Sequence, residues 1–180
     1  VVSGHMNCHS RFMKLAFTSV LNNGDADTGA NIIAVAGDDP AGFGGTFAGL
    51  DAWIARSTDG GATWENVTHI SGAFWSGLFT HRDRVYLLGT SQGYGSIVIR
   101  RSDDGGNTWT FVALNTNVTD LALVPGDPDV LYATCWDTGL YISLDEGDNW
   151  FHVTNGSIPT AYISRGAVSV CAANPGVIYV

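Results

Sequence analysis

The amino-acid sequence predicts an all-β fold of repeated four-stranded sheets, and three observations support this prediction. A pattern of Ser, Asp, Gly and Trp occurs three times, beginning at Ser57, Ser102 and Ser143. The copies are 45 and 41 residues apart, a period typical of four-stranded propeller blades. Short apolar runs alternate with turn residues, and no stretch has helical periodicity. The sequence therefore predicts a β-propeller segment of about three and a half four-stranded blades.

The predicted blades follow one another along the chain. A leader with an opening strand, FMKLAFTSV, occupies residues 1–29, and the first blade covers residues 30–67. Residues 72–112 form the second blade and residues 118–153 the third, each with four short apolar runs separated by turns. Residues 166–180 contain two further runs around a Pro-Gly turn, and they begin the next blade.

The last predicted blade consists of only two strands, so the stack is open. An open stack exposes a blade edge and one apolar blade face. We therefore expect either the remaining blades of a longer chain or a second copy to close the ring, and the first alternative is favoured. The chain begins with Val1 rather than Met, which also indicates that its natural start is missing.

Composition excludes several classes of protein. Hydrophobic residues make up 45% of the 180 residues, charged residues 14%, and there are 23 glycines, which is typical of a globular, turn-rich chain. The net charge of −9 argues against a nucleic-acid partner, because phosphate binding requires clustered Lys and Arg. No apolar run reaches the roughly 18 residues of a membrane helix, so no membrane span is expected.

The three cysteines, Cys8, Cys135 and Cys171, are too few and too scattered for a disulfide framework or a zinc site. We expect no metal and no cofactor. Cys135 and Cys171 lie in adjacent predicted blades and either pair or remain buried free thiols; the second alternative is favoured.

Three Asn-x-Ser/Thr triplets are compatible with a secreted, extracellular or periplasmic location. The triplets begin at Asn66, Asn117 and Asn155. Such triplets also arise by chance, so whether they carry glycans stays open at this point.

The repeated pattern itself has a structural explanation. Its Asp accepts backbone N–H bonds across a turn, its Gly supplies positive φ, and its Trp packs against the blade. Each carboxylate belongs to a different blade, so a shared metal or acid–base site is disfavoured. The residues assigned this structural role are Ser57, Asp59, Gly61, Trp64, Ser102, Asp104, Gly106, Trp109, Ser143, Asp145, Gly147 and Trp150.

The pattern resembles the Asp-box, or BNR repeat, of sialidases and related propellers, over roughly residues 30–180. DAWIARSTDGGATW and YGSIVIRRSDDGGNTW are similar to bacterial sialidase-type chains. LALVPGDPDVLYATCWDTGLYISLDEGDNW is closer to xyloglucan-cleaving endoglucanases, sortilin-type receptors and photosystem assembly-factor-like propellers. The resemblance implies an extracellular carbohydrate-active propeller of the sialidase or glycoside-hydrolase kind. The alternative is a non-catalytic propeller that binds a glycan or a protein or acts in assembly.

Ligands of such a propeller are expected on the face opposite the repeats, which the loops between second and third strands and between blades form. Aromatic side chains and carboxylates in these loops suit a glycan or polysaccharide, although loop packing is an alternative role for each. Asp38 and Asp39 are the catalytic candidates, because they follow a second strand directly. The ligand-binding candidates are Asp51, Trp75, Tyr94, Trp136, Asp137, Tyr162 and Arg165.

The resemblance does not extend to sialidase catalysis. The Arg-Ile-Pro motif of that family is absent, and AGDDP stands where sialidases tend to place an arginine. An inverting glycosidase needs two carboxylates roughly 6.5–9.5 Å apart, of which Asp38 or Asp39 supplies at most one. Whether the chain belongs to an enzyme therefore stays open; the enzyme class, if the full chain is catalytic, is a sialidase-like glycoside hydrolase.

Overall fold

A computed structural model shows that the chain is all-β. It describes residues 12–17, 32–37, 51–71, 75–81, 84–90, 97–112, 114, 116–127, 129–154 and 166–180. These residues form strands and turns, and no helix occurs among them. The predicted fold class is therefore confirmed.

Four consecutive strands form the first sheet, in the order β1-β2-β3-β4, and each neighbouring pair is antiparallel. Their bounds are β1 Phe12–Phe17, β2 Ile32–Gly37, β3 Asp51–Ser57 and β4 Glu65–Ser71. The second sheet has the same sequential order. Its strands are β5 Trp75–His81, β6 Arg84–Thr90, β7 Ile97–Ser102 and β8 Thr110–Phe111. This simple up-and-down order is that of a propeller blade.

The third sheet repeats the plan, and a two-strand hairpin follows it. The third sheet contains β9 Val118–Leu123, β10 Leu131–Cys135, β11 Gly139–Ser143 and β12 Phe151–His152. The hairpin contains β13 Ser169–Cys171 and β14 Asn174–Tyr179. The fourth strands β8 and β12 are only two residues long. Single bonds from Val112 N to Ile99 O and from Val153 N to Leu140 O continue their pairing.

The chain divides into two compact units. The first comprises Val1–Gly95 and Arg100–Thr110, and the second comprises Ser96–Ile99 and Phe111–Val180. In the first unit, the buried side chains of Ile33, Ile54, Val85 and Leu87 form an apolar cluster, against which Val67, Leu78 and Trp109 pack. In the second unit, Ala122, Leu140 and Val168 form a cluster with Tyr132, Val153, Val170 and Ile178 around it. Burial of these β-branched and aliphatic side chains is the main force that holds each unit together.

Candidate functional site

Three repeat turns join the third and fourth strands of the three sheets: Ser57–Trp64, Ser102–Trp109 and Ser143–Trp150. In each turn the serine is buried, and its Oγ donates to an oxygen of the aspartate at 2.8 Å. The same Oγ accepts from the amide of the glycine, also at 2.8 Å. That glycine has φ of 93° in every copy, which favours glycine strongly. The three turns therefore have one common geometry.

The aspartate of each repeat turn is occupied by bonds within its own turn. In the first turn, Asp59 accepts from the Thr63 amide at 2.8 Å and from the Thr63 hydroxyl at 2.6 Å. Asp104 and Asp145 make the equivalent bonds to Thr108 and Asn149. The indole N–H of each turn's tryptophan donates to the glycine carbonyl at 2.8–3.0 Å. Carboxylates held in this way act as turn-forming groups rather than as general acids or metal ligands.

These bonds lower the carboxyl pKa of all three aspartates, because they favour the ionised form. Thr63 and Ser57 lower the pKa of Asp59 to about 2. At Asp104, partial burial raises the pKa, but the bonds from Thr108, Ser102 and Asn107 together outweigh it, so the pKa is lowered. At Asp145 the side chain and amide of Asn149 lower the pKa.

We expect Asp145→Asn to destabilise the protein at pH 6, and the difference from wild type to shrink as the pH falls below about 4. A carboxyl group whose pKa is lower in the folded than in the unfolded chain stabilises the fold at pH values above its unfolded pKa of about 3.9. This stabilisation is lost as the pH falls through the folded pKa. Urea unfolding at several pH values measures the difference. Asp127→Asn, in the exposed loop between β9 and β10, is the control. A difference that stays constant with pH would contradict this account.

The end of each sheet opposite its repeat turn contains the candidate residues that the structure describes. Because neighbouring strands are antiparallel, the connection between second and third strands lies at that end. Asp51 is the first residue of β3 and Trp75 the first residue of β5. Trp136 and Asp137 form the turn between β10 and β11. Asp38, Asp39, Tyr94, Tyr162 and Arg165 lie outside the described residues, as do the side chains of Asp51 and Trp75.

Hydrogen bonds to the segment before β9 hold the Trp136–Asp137 turn in place. The amide of Trp136 donates to Asn117 O at 2.7 Å, and the hydroxyls of Thr116 and Thr138 share a hydrogen bond of 3.1 Å. Asp137 has φ of 57°, a left-handed conformation that aspartate tolerates better than most residues. The indole of Trp136 is nevertheless 42% exposed. The turn thus presents an aromatic ring and a carboxylate from a fixed backbone.

A polar cluster on β9 and β10 was not predicted from the sequence. The hydroxyls of Thr119 and Thr134 both donate to Gly166 O, at 2.9 and 3.0 Å. Asp120 Oδ2 accepts from the amide of Val168 at 3.0 Å. These bonds attach the segment before β13 to β9 and β10. No local motif could reveal them, because the partners are 32–48 residues apart.

The described residues include two of the three cysteines, Cys135 on β10 and Cys171 on β13. Cys135 and Cys171 are both free. Cys135 is completely buried, and burial raises the pKa of its thiol to about 12, so the thiol is unreactive. The described residues contain no group of three His, Cys, Asp or Glu side chains that could hold a metal ion. Nor does the described part of the chain include a helix long and apolar enough to cross a membrane.

Comparison with known proteins finds similarity in structure but not in sequence. No family model matches the chain, and no curated protein does. The GH74 xyloglucanase from Xanthomonas campestris is 15% identical, with a TM-score of 0.61 over 91% of this chain and 26% of the enzyme. The Niastella koreensis GH74 enzyme is 16% identical, with a TM-score of 0.51 over 76% of this chain and 21% of the enzyme.

A third structure, YCF48 from Cyanidioschyzon merolae, is 18% identical with a TM-score of 0.48, over 76% of this chain and 38% of YCF48. The chain thus spans about a quarter of the two GH74 structures and less than half of YCF48. At these identities, the likeness to the GH74 structures establishes the fold alone. Together with the four-stranded antiparallel sheets, it shows that the chain folds as a segment of a β-propeller.

Proposed function

We propose that this chain is part of an extracellular carbohydrate-active propeller of the Asp-box type, similar in kind to glycoside hydrolases, and that Trp136 contacts the glycan. The observation that carries the proposal is the exposed Trp136 in a turn whose backbone is already fixed. A turn whose backbone is fixed before binding loses little conformational entropy when a ligand arrives. Trp136 also lies at the sheet end opposite the repeat turn, and this is the end where ligands were expected.

The chemistry of the Trp136–Asp137 turn suits a sugar ring. The C–H face of a pyranose packs on an indole, and this apolar contact is the main source of affinity. The neighbouring carboxylate of Asp137 is exposed and accepts hydrogen bonds from hydroxyl groups. The structural likeness to a xyloglucanase supports the choice of xyloglucan as the first glycan to test.

We expect Trp136→Ala to weaken binding of xyloglucan oligosaccharides about tenfold, equivalent to about 1.4 kcal/mol, because the stacking surface is lost. Isothermal titration calorimetry measures this change. Phe151→Ala is the matched control: Phe151 is 57% exposed and lies at the repeat-turn end of the same sheet, so its loss leaves affinity unchanged. Equal weakening by both variants, or no saturable binding by the wild type, would contradict the proposal.

A non-catalytic binding or assembly propeller is the second candidate. It is supported by the repeat-turn carboxylates, which bond within their own turns and so offer no catalytic acid or base. Measuring the release of reducing ends from the glycan distinguishes a glycoside hydrolase from a non-catalytic propeller. Hydrolysis that Asp38→Asn or Asp39→Asn abolishes, with binding retained, supports the enzyme. Saturable binding of a glycan or a peptide without hydrolysis supports the second candidate.

A further inference from the structure

Of the three Asn-x-Ser/Thr triplets, the structure describes two, and they differ sharply in environment. We propose that Asn66 is the residue at which this chain accepts an N-linked oligosaccharide, and that Asn117 carries none in the folded protein. Asn155 lies outside the described residues. The inference rests on the proposed extracellular location, since oligosaccharide transfer takes place in the secretory pathway, but it does not depend on the glycan-binding activity.

Asn66 is exposed on β4, the outermost strand of the first sheet. The following residue, Val67, is half-buried and packs against the apolar cluster of the first unit, so Asn66 and Val67 lie in different environments. In the other two sheets, the second residue after the tryptophan of the repeat turn is Phe111 or His152. Both are exposed as well. The position is therefore on the outer rim of the sheet in all three repeats, where a bulky modification fits.

Asn117 occupies a different environment. Its carbonyl accepts the 2.7 Å bond from the Trp136 amide, which holds the Trp136–Asp137 turn. The middle residue of its triplet, Val118, is completely buried. The hydroxyl of the third residue, Thr119, bonds Thr134 and Gly166. Asn117 itself is half-buried, and a glycan on it would lie beside these packed groups, so we expect chains that carry one not to reach the native fold.

The transfer reaction needs only a lipid-linked oligosaccharide diphosphate as donor. The Nδ2 atom of Asn66 forms a bond to C1 of the first sugar, the bond from C1 to the diphosphate oxygen breaks, and one amide proton passes to a base of the transferase. No oxidation is involved. A glycan on Asn66 would stand on the edge strand of the first sheet, and we expect it to hinder the strand pairing that exposed edges invite.

The test is secretion of the full chain, behind a heterologous signal peptide, from a eukaryotic host that performs N-glycosylation. The folded, monomeric fraction is treated with peptide N-glycosidase in heavy-oxygen water, which converts each glycosylated Asn to labelled Asp. Trypsin isolates Asn66 on peptide 57–82, because Arg56 and Arg82 flank it. The other two triplets share peptide 102–165, so cleavage at Asp residues separates them.

We expect labelled aspartate at position 66, none at position 117, and complete loss of the label from peptide 57–82 in the Asn66→Gln variant. Asn117→Gln is the matched control and leaves the glycan mass unchanged. A secreted, folded chain with bare Asn66, or with a glycan on Asn117, would overturn the inference. Because the host imposes secretion, such a result would leave glycan binding through Trp136 unaffected and separately testable.

Discussion

Replacing Trp109 with alanine is expected to lower the free energy of unfolding by about 3 kcal/mol, at the low end for buried tryptophans. The indole packs against the cluster of Ile33, Ile54, Val85 and Leu87. Its N–H also donates to Gly106 O at 2.8 Å. Truncation removes apolar contact and leaves a cavity beside this cluster.

Trp109→Phe separates the two contributions of this residue. Phenylalanine keeps most of the apolar surface and loses only the hydrogen bond, which contributes about 1 kcal/mol. Urea unfolding followed by far-ultraviolet circular dichroism measures both variants, since tryptophan fluorescence changes with the substitution itself. If the two variants lose the same stability, packing of the indole on the cluster is not what stabilises the turn.

The second large effect concerns Gly147, which has φ of 93° and is buried. A Cβ atom there would meet Leu131 Cδ1 at 3.3 Å and the ring of Trp150 at 3.6 Å. Gly147→Ala therefore combines backbone strain of about 1–2 kcal/mol with crowding of the core that costs about as much again.

Gly126→Ala measures the effect of backbone strain alone. Gly126 has a similar φ of 83°, but a Cβ atom there would meet nothing within 4 Å. We expect Gly147→Ala to shift the thermal midpoint clearly further than Gly126→Ala. Differential scanning calorimetry at one protein concentration provides the comparison. Equal shifts would mean that the core around Leu131 relaxes to accept the methyl group.

Much of the fold was predictable from the sequence. The all-β architecture and the positions of the strands were predictable, because the repeat period and the apolar runs reflect local requirements of strands and turns. β8 and β12 are only two residues long, although the runs TWTFV (residues 108–112) and NWFHV (residues 149–153) each cover five residues. Strand length at the outer edge depends on pairing with a single neighbour, which the run of apolar residues does not encode.

The candidate site was less predictable. Trp136 and Asp137 were identified as loop residues beside a predicted strand, and the structure adds the bonds that hold their turn. The Thr119–Thr134–Gly166 cluster was missed, since its acceptor is a backbone carbonyl. A backbone carbonyl has no signature in the sequence.

The sequence by itself determined the shared bonds of the repeat turns, because those that the serine, aspartate and tryptophan of each turn make within it join residues at most four positions apart. The tertiary structure alone decided which polar groups meet across long separations and which triplet asparagine faces solvent. Asn66 and Asn117 stand in equivalent tripeptides, Asn-Val-Thr. Only the packing of the strands around them makes the first exposed and ties the second into a turn.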